Sequence, residues 1–193
     1  MIHNYIAALP EISLAAGLLV MALVRLFRSE NTPKTFYTLG KFFLAFTLLT
    51  TVVFYNRSWL PPIFENNPYT SLFKIIICLF TLAWAYLSCK WFLNKNYSSW
   101  SFYSLMLLEV LLLSLAISAL NFAALFVGLQ GAFLLNWCLI RLGDDEEKKK
   151  RDAARRFLCF ALLFAAFFCL RLRSDFYAVS YTHLRAHETG RNL

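Results

Sequence analysis

The chain has 193 residues and a formal net charge of +8, yet charged residues make up only 16% of it and hydrophobic residues 60%. With a mean hydropathy of +0.57, this composition excludes an ordinary soluble domain, in which about a quarter of residues are charged. Nor does the basic excess read as a nucleic-acid surface. Lys and Arg fall in the gaps between apolar runs, with no aromatic-basic recognition module.

Residues 1–8 form a short, uncharged lead. Leu9-Pro10-Glu11 opens a first apolar span at about 9–27, where Pro10 lacks the N–H that a first helical turn leaves unused and Glu11 sits against the positive helix end. A second span is predicted at about 36–54; its Thr47, Thr50 and Thr51 can bond back to their own helix. Tyr55, Trp59 and Pro61-Pro62 mark an interface and a break, and Asn66–Pro68 leads into a third span at about 71–92. Lys74, near the first turn of that span, is expected to snorkel to the surface.

Spans four and five, at about 100–119 and 122–142, are separated only by Leu120 and Asn121, so they read as a hairpin that crosses the membrane and returns. The strongly charged segment 141–156, with Asp144-Asp145-Glu146-Glu147 followed by Lys148-Lys149-Lys150-Arg151, reads as a solvated loop. A sixth span follows at about 157–172. The fold class is therefore all-α, a polytopic membrane protein of six transmembrane helices over residues 1–178.

Basic residues cluster after spans one, three and five (Arg25, Arg28, Lys34 and Lys41; Lys90 and Lys95; the run around Lys148), whereas the alternate gaps carry Arg57 with Lys74, then none. Positive loops face the cytoplasm, which puts the N-terminus and the turn at Asn121 outside. The N-terminus lacks the basic region of a secretory signal peptide. Cys78, Cys89, Cys138, Cys159 and Cys169 are widely spaced inside apolar runs and read as lipid-compatible filler rather than metal ligands or disulfides.

From Val179 the text turns polar and aperiodic. Residues 179–193 resemble the read-through translation of a sequencing adapter, so His183 and His187 are not taken as a metal pair, and the native frame is expected to continue.

Inside the hairpin sit Glu109, Gln130 and Asn136. A polar or ionisable group at mid-membrane depth is by default a hypothesis about ion or proton movement. Measured from the turn at about 1.5 Å per residue, Glu109 lies about 16–18 Å down and Gln130 about 13–14 Å down, so the two are expected to bond across the hairpin. Asn136 and Ser114 read as helix-to-helix glue, and Gly128 and Gly131 as points of close approach. Tyr97, Trp100 and Tyr103 read as an interfacial belt, and the Phe-rich run 160–168 as a lipid or partner contact.

The order Phe102-Tyr103-Ser104-Leu105-Met106-Leu107, then Ser118-Ala119-Leu120-Asn121-Phe122, then Leu125-Phe126-Val127-Gly128-Leu129-Gln130 resembles subunit N of the proton-translocating NADH–quinone oxidoreductase, an antiporter-like membrane subunit of respiratory complex I. Leu9-Pro10-Glu11, Asn67-Pro68-Tyr69-Thr70-Ser71-Leu72-Phe73-Lys74 and Asp152-Ala153-Ala154-Arg155-Arg156-Phe157 resemble the family's openings of spans one, three and six. The resemblance covers residues 9 to about 173. It implies a non-redox subunit of an oxidoreductase complex in a bacterial inner membrane, carrying protons outward beside other membrane subunits. NADH, FMN, iron–sulfur clusters and quinone would belong to those partners; this sequence has no Gly-rich dinucleotide turn and no cysteine cluster.

The departures fall on the chemistry. The family's span-five glutamate corresponds to Gln130 and its span-six lysine to Arg156. An amide does not load a proton, and arginine stays protonated, so neither relays. The proton-path candidates are therefore Glu109, Gln130 and Arg156, with the ionisable carboxylate moved to span four. A cation/proton antiporter subunit and a non-transporting scaffold or assembly subunit are the alternatives.

Overall fold

Pro33 and Pro68 each begin a helix, the one place where a proline's missing N–H and fixed φ favour the fold. The computed structural model describes residues 8–27, 33–55, 64–93, 99–142 and 151–171. Arg28, Arg57, Trp59, Pro61-Pro62, Lys95, Tyr97, the charge run at 144–150 and the adapter-like tail lie outside the described residues. The helices are α1 (Leu9–Phe27), α2 (Pro33–Val53), α3 (Pro68–Leu93), α4 (Ser99–Ser118) and α5 (Phe122–Arg141), followed by α6 (Arg151–Arg171). All six are long and apolar enough to cross a membrane. The fold is all-helical, as the sequence predicts.

Three helices start earlier than hydropathy alone suggests. For α2 and α3 the proline sets the start about one turn upstream. The α3 start is also capped reciprocally: the Thr70 N–H donates to Asn67 Oδ1 at 2.9 Å and the Asn67 N–H donates to Thr70 Oγ1 at 2.8 Å. At α6, Arg155 pairs with Asp152 at 3.3 Å on the solvent face, so a charged turn extends the helix beyond its apolar run.

Helix α4 is apolar around its whole circumference apart from Glu109 and scattered Ser, the pattern of a helix enclosed by others. It packs against α1, α2, α3 and α5, while α2 also packs against α1 and α3. The core centres there, on Tyr103, Met106, Leu107 and Val110 of α4 with Leu14 and Met21 of α1, Leu44 of α2 and Cys78 of α3. Tyr103 is only 1% exposed and packs on Tyr37, with ring centroids 5.7 Å apart. Its place is the centre of the bundle, not an interfacial belt. Trp100 is half-buried and its indole N–H donates to the Met21 carbonyl at 3.3 Å, tying α4 to the end of α1. Part of the Phe-rich α6 run likewise faces inward: Phe164 packs on Phe133, and Phe168 on Phe122 and Phe126 of α5. Phe160 and Phe167 remain exposed on the other side.

The α4–α5 hairpin is closed by Asn121, whose side chain accepts from the Ala124 N–H at 2.7 Å and caps α5. Residues 64–67 run as a strap over this turn. Phe64 forms an antiparallel bridge with Ala119, and the Glu65 N–H donates to the Ser118 carbonyl at 2.7 Å. Below the turn, two glycines let α5 seat on α4. A Cβ at Gly128 would lie 2.7 Å from Ala116 Cβ and 2.9 Å from the Leu112 carbonyl oxygen, whereas one at Gly131 would meet only the tip of Leu112. Backbone does not yield as a flexible side chain does. Gly128→Ala is therefore expected to destabilise the bundle by about 1–3 kcal/mol and Gly131→Ala by clearly less, measured as thermal unfolding of the two variants in the same detergent.

Candidate functional site

Helices α1, α3 and α5 all start at one face of the bundle, where α2 and α4 end. Early positions of α1 and α3 therefore lie at similar depth. Glu11 sits in the first turn of α1 and Lys74 in the second turn of α3, and helical side chains lean toward the N-terminus, here toward the same face. They meet. Lys74 Nζ donates to Glu11 Oε1 at 2.6 Å, with side chains only 3% and 7% exposed. Asn66 Oδ1, brought over the pair by the strap, accepts from Lys74 Nζ at 3.3 Å and from Ser71 Oγ at 3.2 Å.

Lys74 thus does not snorkel. Beginning α3 at Pro68 sets it one turn deeper than a span starting at Ser71 would, and the opposite charge of Glu11 is in contact. A lone cation would seek the headgroups; a paired one has less reason to leave. The signal was present in the sequence as two residues, Glu11 and Lys74, early in two parallel helices, but it becomes visible only when their depths are compared. Around the pair the seam between helices stays polar: Ser13 Oγ and Thr47 Oγ1 are bonded at 2.7 Å, and Thr50, Thr51 and Ser114 are buried beside them.

The second centre is in the hairpin. Asn136 Nδ2 donates to Glu109 Oε1 at 2.6 Å and also lies 3.1 Å from the Ala132 carbonyl of its own helix. Gln130 is not the partner of Glu109; its Nε2 is buried with no hydrogen-bond partner. Side-chain direction explains the difference. On α4 the N-terminus points away from the turn, so Glu109 leans down; on α5 it points toward the turn, so Asn136 leans up and Gln130 leans away. Comparing Cα depths alone picks Gln130, whereas adding the lean picks Asn136. Asn136 still glues the two helices, but through the one carboxylate in their spans.

Glu109 and Asn136 line a groove of about 610 Å³ between α3, α4 and α5, walled by Phe80, Trp84, Phe102, Met106 and Leu139 among others. Arg156 is exposed near the start of α6, at a separate depression lined by Ile140, Asp152 and Phe160. The three residues singled out from the sequence are thus not assembled into one site. Glu109 has a neutral amide partner, Gln130 Nε2 is buried without one, and Arg156 lies exposed near the start of α6.

No family model matches the chain, and no curated protein matches it. Among solved structures it is similar to a chain of respiratory complex I from Thermus thermophilus with bound aureothin, with a TM-score of 0.71 at 18% sequence identity. The match covers 83% of this chain and 35% of that one, so the chain spans about a third of its neighbour's length. This likeness defines a class: a helical bundle with the fold of a membrane-spanning portion of that complex.

The ion pair makes a direct prediction. Lys74→Met strands the buried Glu11 carboxylate and is expected to cost about 3–5 kcal/mol, read as a fall in unfolding temperature in detergent. The double variant Glu11→Gln/Lys74→Met is expected to recover most of that loss.

Proposed function

We propose that this chain is an antiporter-like membrane subunit of a respiratory NADH–quinone oxidoreductase, corresponding to subunit N, and that it takes part in moving protons across the membrane. Three features support the reading: the shared fold with a chain of Thermus complex I, the ordered motifs from Leu9-Pro10-Glu11 to Asp152–Phe157, and an ionisable group inside the bundle. The observation that carries it is Glu109. It lies about 13 Å below the end of α4 at Ser118, close to the middle of a bilayer core about 30 Å thick, and is held by a side-chain amide.

In this reading Glu109 takes up and releases the proton. Asn136 donates to Oε1 and orients the carboxyl group but has no proton to exchange at physiological pH. Gln130 contributes no titration, and Arg156 biases the potential near the start of α6 without relaying. The chain is a non-redox component: NADH, FMN, iron–sulfur clusters and quinone are held by partner subunits, and the complex sits in a bacterial inner membrane with the α1 N-terminus outside. One observation favours a second reading, a non-transporting scaffold subunit, because Gln130 and Arg156 form no titrating pair with each other or with Glu109. A cation/proton antiporter subunit would share the same bundle.

Glu109→Gln in the assembled complex separates the readings. The proton-moving reading predicts fewer protons translocated per NADH oxidised at normal levels of assembled complex, measured in inverted membrane vesicles. The scaffold reading predicts an unchanged ratio. Asn136→Ala is expected to lower the ratio less than Glu109→Gln, because the carboxyl group survives in a looser position.

A further inference from the structure

The bundle end where α5 stops and α6 starts is rich in arginine. From 141 to 156 the described residues hold four arginines, Arg141, Arg151, Arg155 and Arg156, and a single acid, Asp152. That acid is engaged: Arg155 donates to Asp152 Oδ1 at 3.3 Å. The Arg141 guanidinium lies over the Trp137 ring, 5.2 Å from its centroid, a contact that orients it but leaves its charge unbalanced. Arg156 is exposed and has no acidic partner among the described residues.

Helix α6 runs antiparallel to α5, with Phe157 and Phe164 against Phe133 and Phe168 against Phe126. Arg141 and Arg156 therefore flank the same end of one helix pair. Each also marks the edge of an apolar run: Arg141 closes α5, and Arg156 directly precedes the run at 157–172. Residues at such an edge stand at the depth of the lipid phosphates, where long cationic side chains place their heads.

Between the two helices opens a depression of about 520 Å³, lined by Ile140 of α5 and by Asp152, Ala153, Arg156, Phe157 and Phe160 of α6. Its chemistry changes with depth. Asp152 and Arg156 stand about one turn apart at the outer end, whereas Phe160 lies about 6 Å further into the membrane and is 73% exposed. Positive charge above an aromatic and aliphatic wall is the complement of a phosphate above an acyl chain. Arginine's planar fork matches phosphate oxygens, and a basic pocket between helices at the membrane surface favours anionic headgroups. A zwitterionic lipid would bring an ammonium among four arginines and is disfavoured.

We propose that this depression binds one anionic phospholipid, its phosphate held between Arg156 and Arg141 and an acyl chain laid along Ile140, Phe157 and Phe160. The lipid seals the α5–α6 junction from outside the bundle. This assignment is independent of whether the chain moves protons.

Native mass spectrometry of the full chain, released from nanodiscs that mix phosphatidylglycerol with phosphatidylethanolamine, counts the lipid that stays bound. One phosphatidylglycerol per chain is expected, in preference to phosphatidylethanolamine. Arg156→Gln and Arg141→Gln are each expected to raise the phosphatidylglycerol fraction needed for half occupancy about fivefold, the worth of one basic residue at a membrane surface. Ala153→Phe fills the depression without changing its charge and is expected to lower occupancy to a similar extent. Lys34→Gln removes an exposed cation at the start of α2, on the same face of the bundle, and is expected to leave occupancy unchanged. All four positions are exposed, so the variants keep the fold, checked by helical circular dichroism. Equal losses in Lys34→Gln and Arg156→Gln would mean diffuse attraction and overturn the site, as would equal retention of the two lipids. Displacement of the lipid by inorganic phosphate overturns the lipid assignment in favour of a free anion.

Discussion

A charged side chain inside a membrane-spanning bundle must find the opposite charge or leave, and the contact between Lys74 and Glu11 at 2.6 Å meets that requirement. Much of the architecture at this end of the bundle follows. The pair fixes the relative depth of α1 and α3. It draws Asn66 inward, which positions the strap at 64–67, and the strap in turn is bonded to Ser118 and bridged to Ala119 at the α4–α5 turn. One ion pair thus links the starts of α1 and α3 and the α4–α5 hairpin into a single cap.

The second constraint on the bundle is α4. Enclosed by α1, α2, α3 and α5, it gives up amphipathicity and is apolar all round, so its single carboxylate is conspicuous. The close seat of Gly128 on Ala116 and Leu112 sets the hairpin register, and the register selects Asn136 rather than Gln130 for Glu109. A neutral partner and a charged partner do different work. Lys74 and Glu11 balance one another, whereas Glu109 is held by the neutral amide of Asn136.

The six helices were legible because each apolar run is longer than a bilayer core and proline or asparagine marks several starts. Contacts were harder to read. Hydropathy treats an aromatic near a helix end as interfacial, but Tyr103 is buried because α4 is surrounded, a fact about neighbours rather than about Tyr103. Lys74 looked free to snorkel because its partner is 63 residues away in the chain. Gln130 looked like the partner of Glu109 because rise per residue gives depth but not the direction in which a side chain leans. What the sequence carried poorly was pairing between helices, which depends on register to within a single turn.

The account turns on whether two opposite charges are held together within the membrane-spanning bundle. Solid-state NMR of the protein in lipid bilayers, with Lys74 labelled at Nζ and Glu11 at its carboxyl carbon, measures this directly. The account predicts a strong through-space coupling between the two labels and a Lys74 ammonium shielded from solvent exchange. A Lys74 signal that exchanges freely with water and shows no coupling to Glu11 would contradict it.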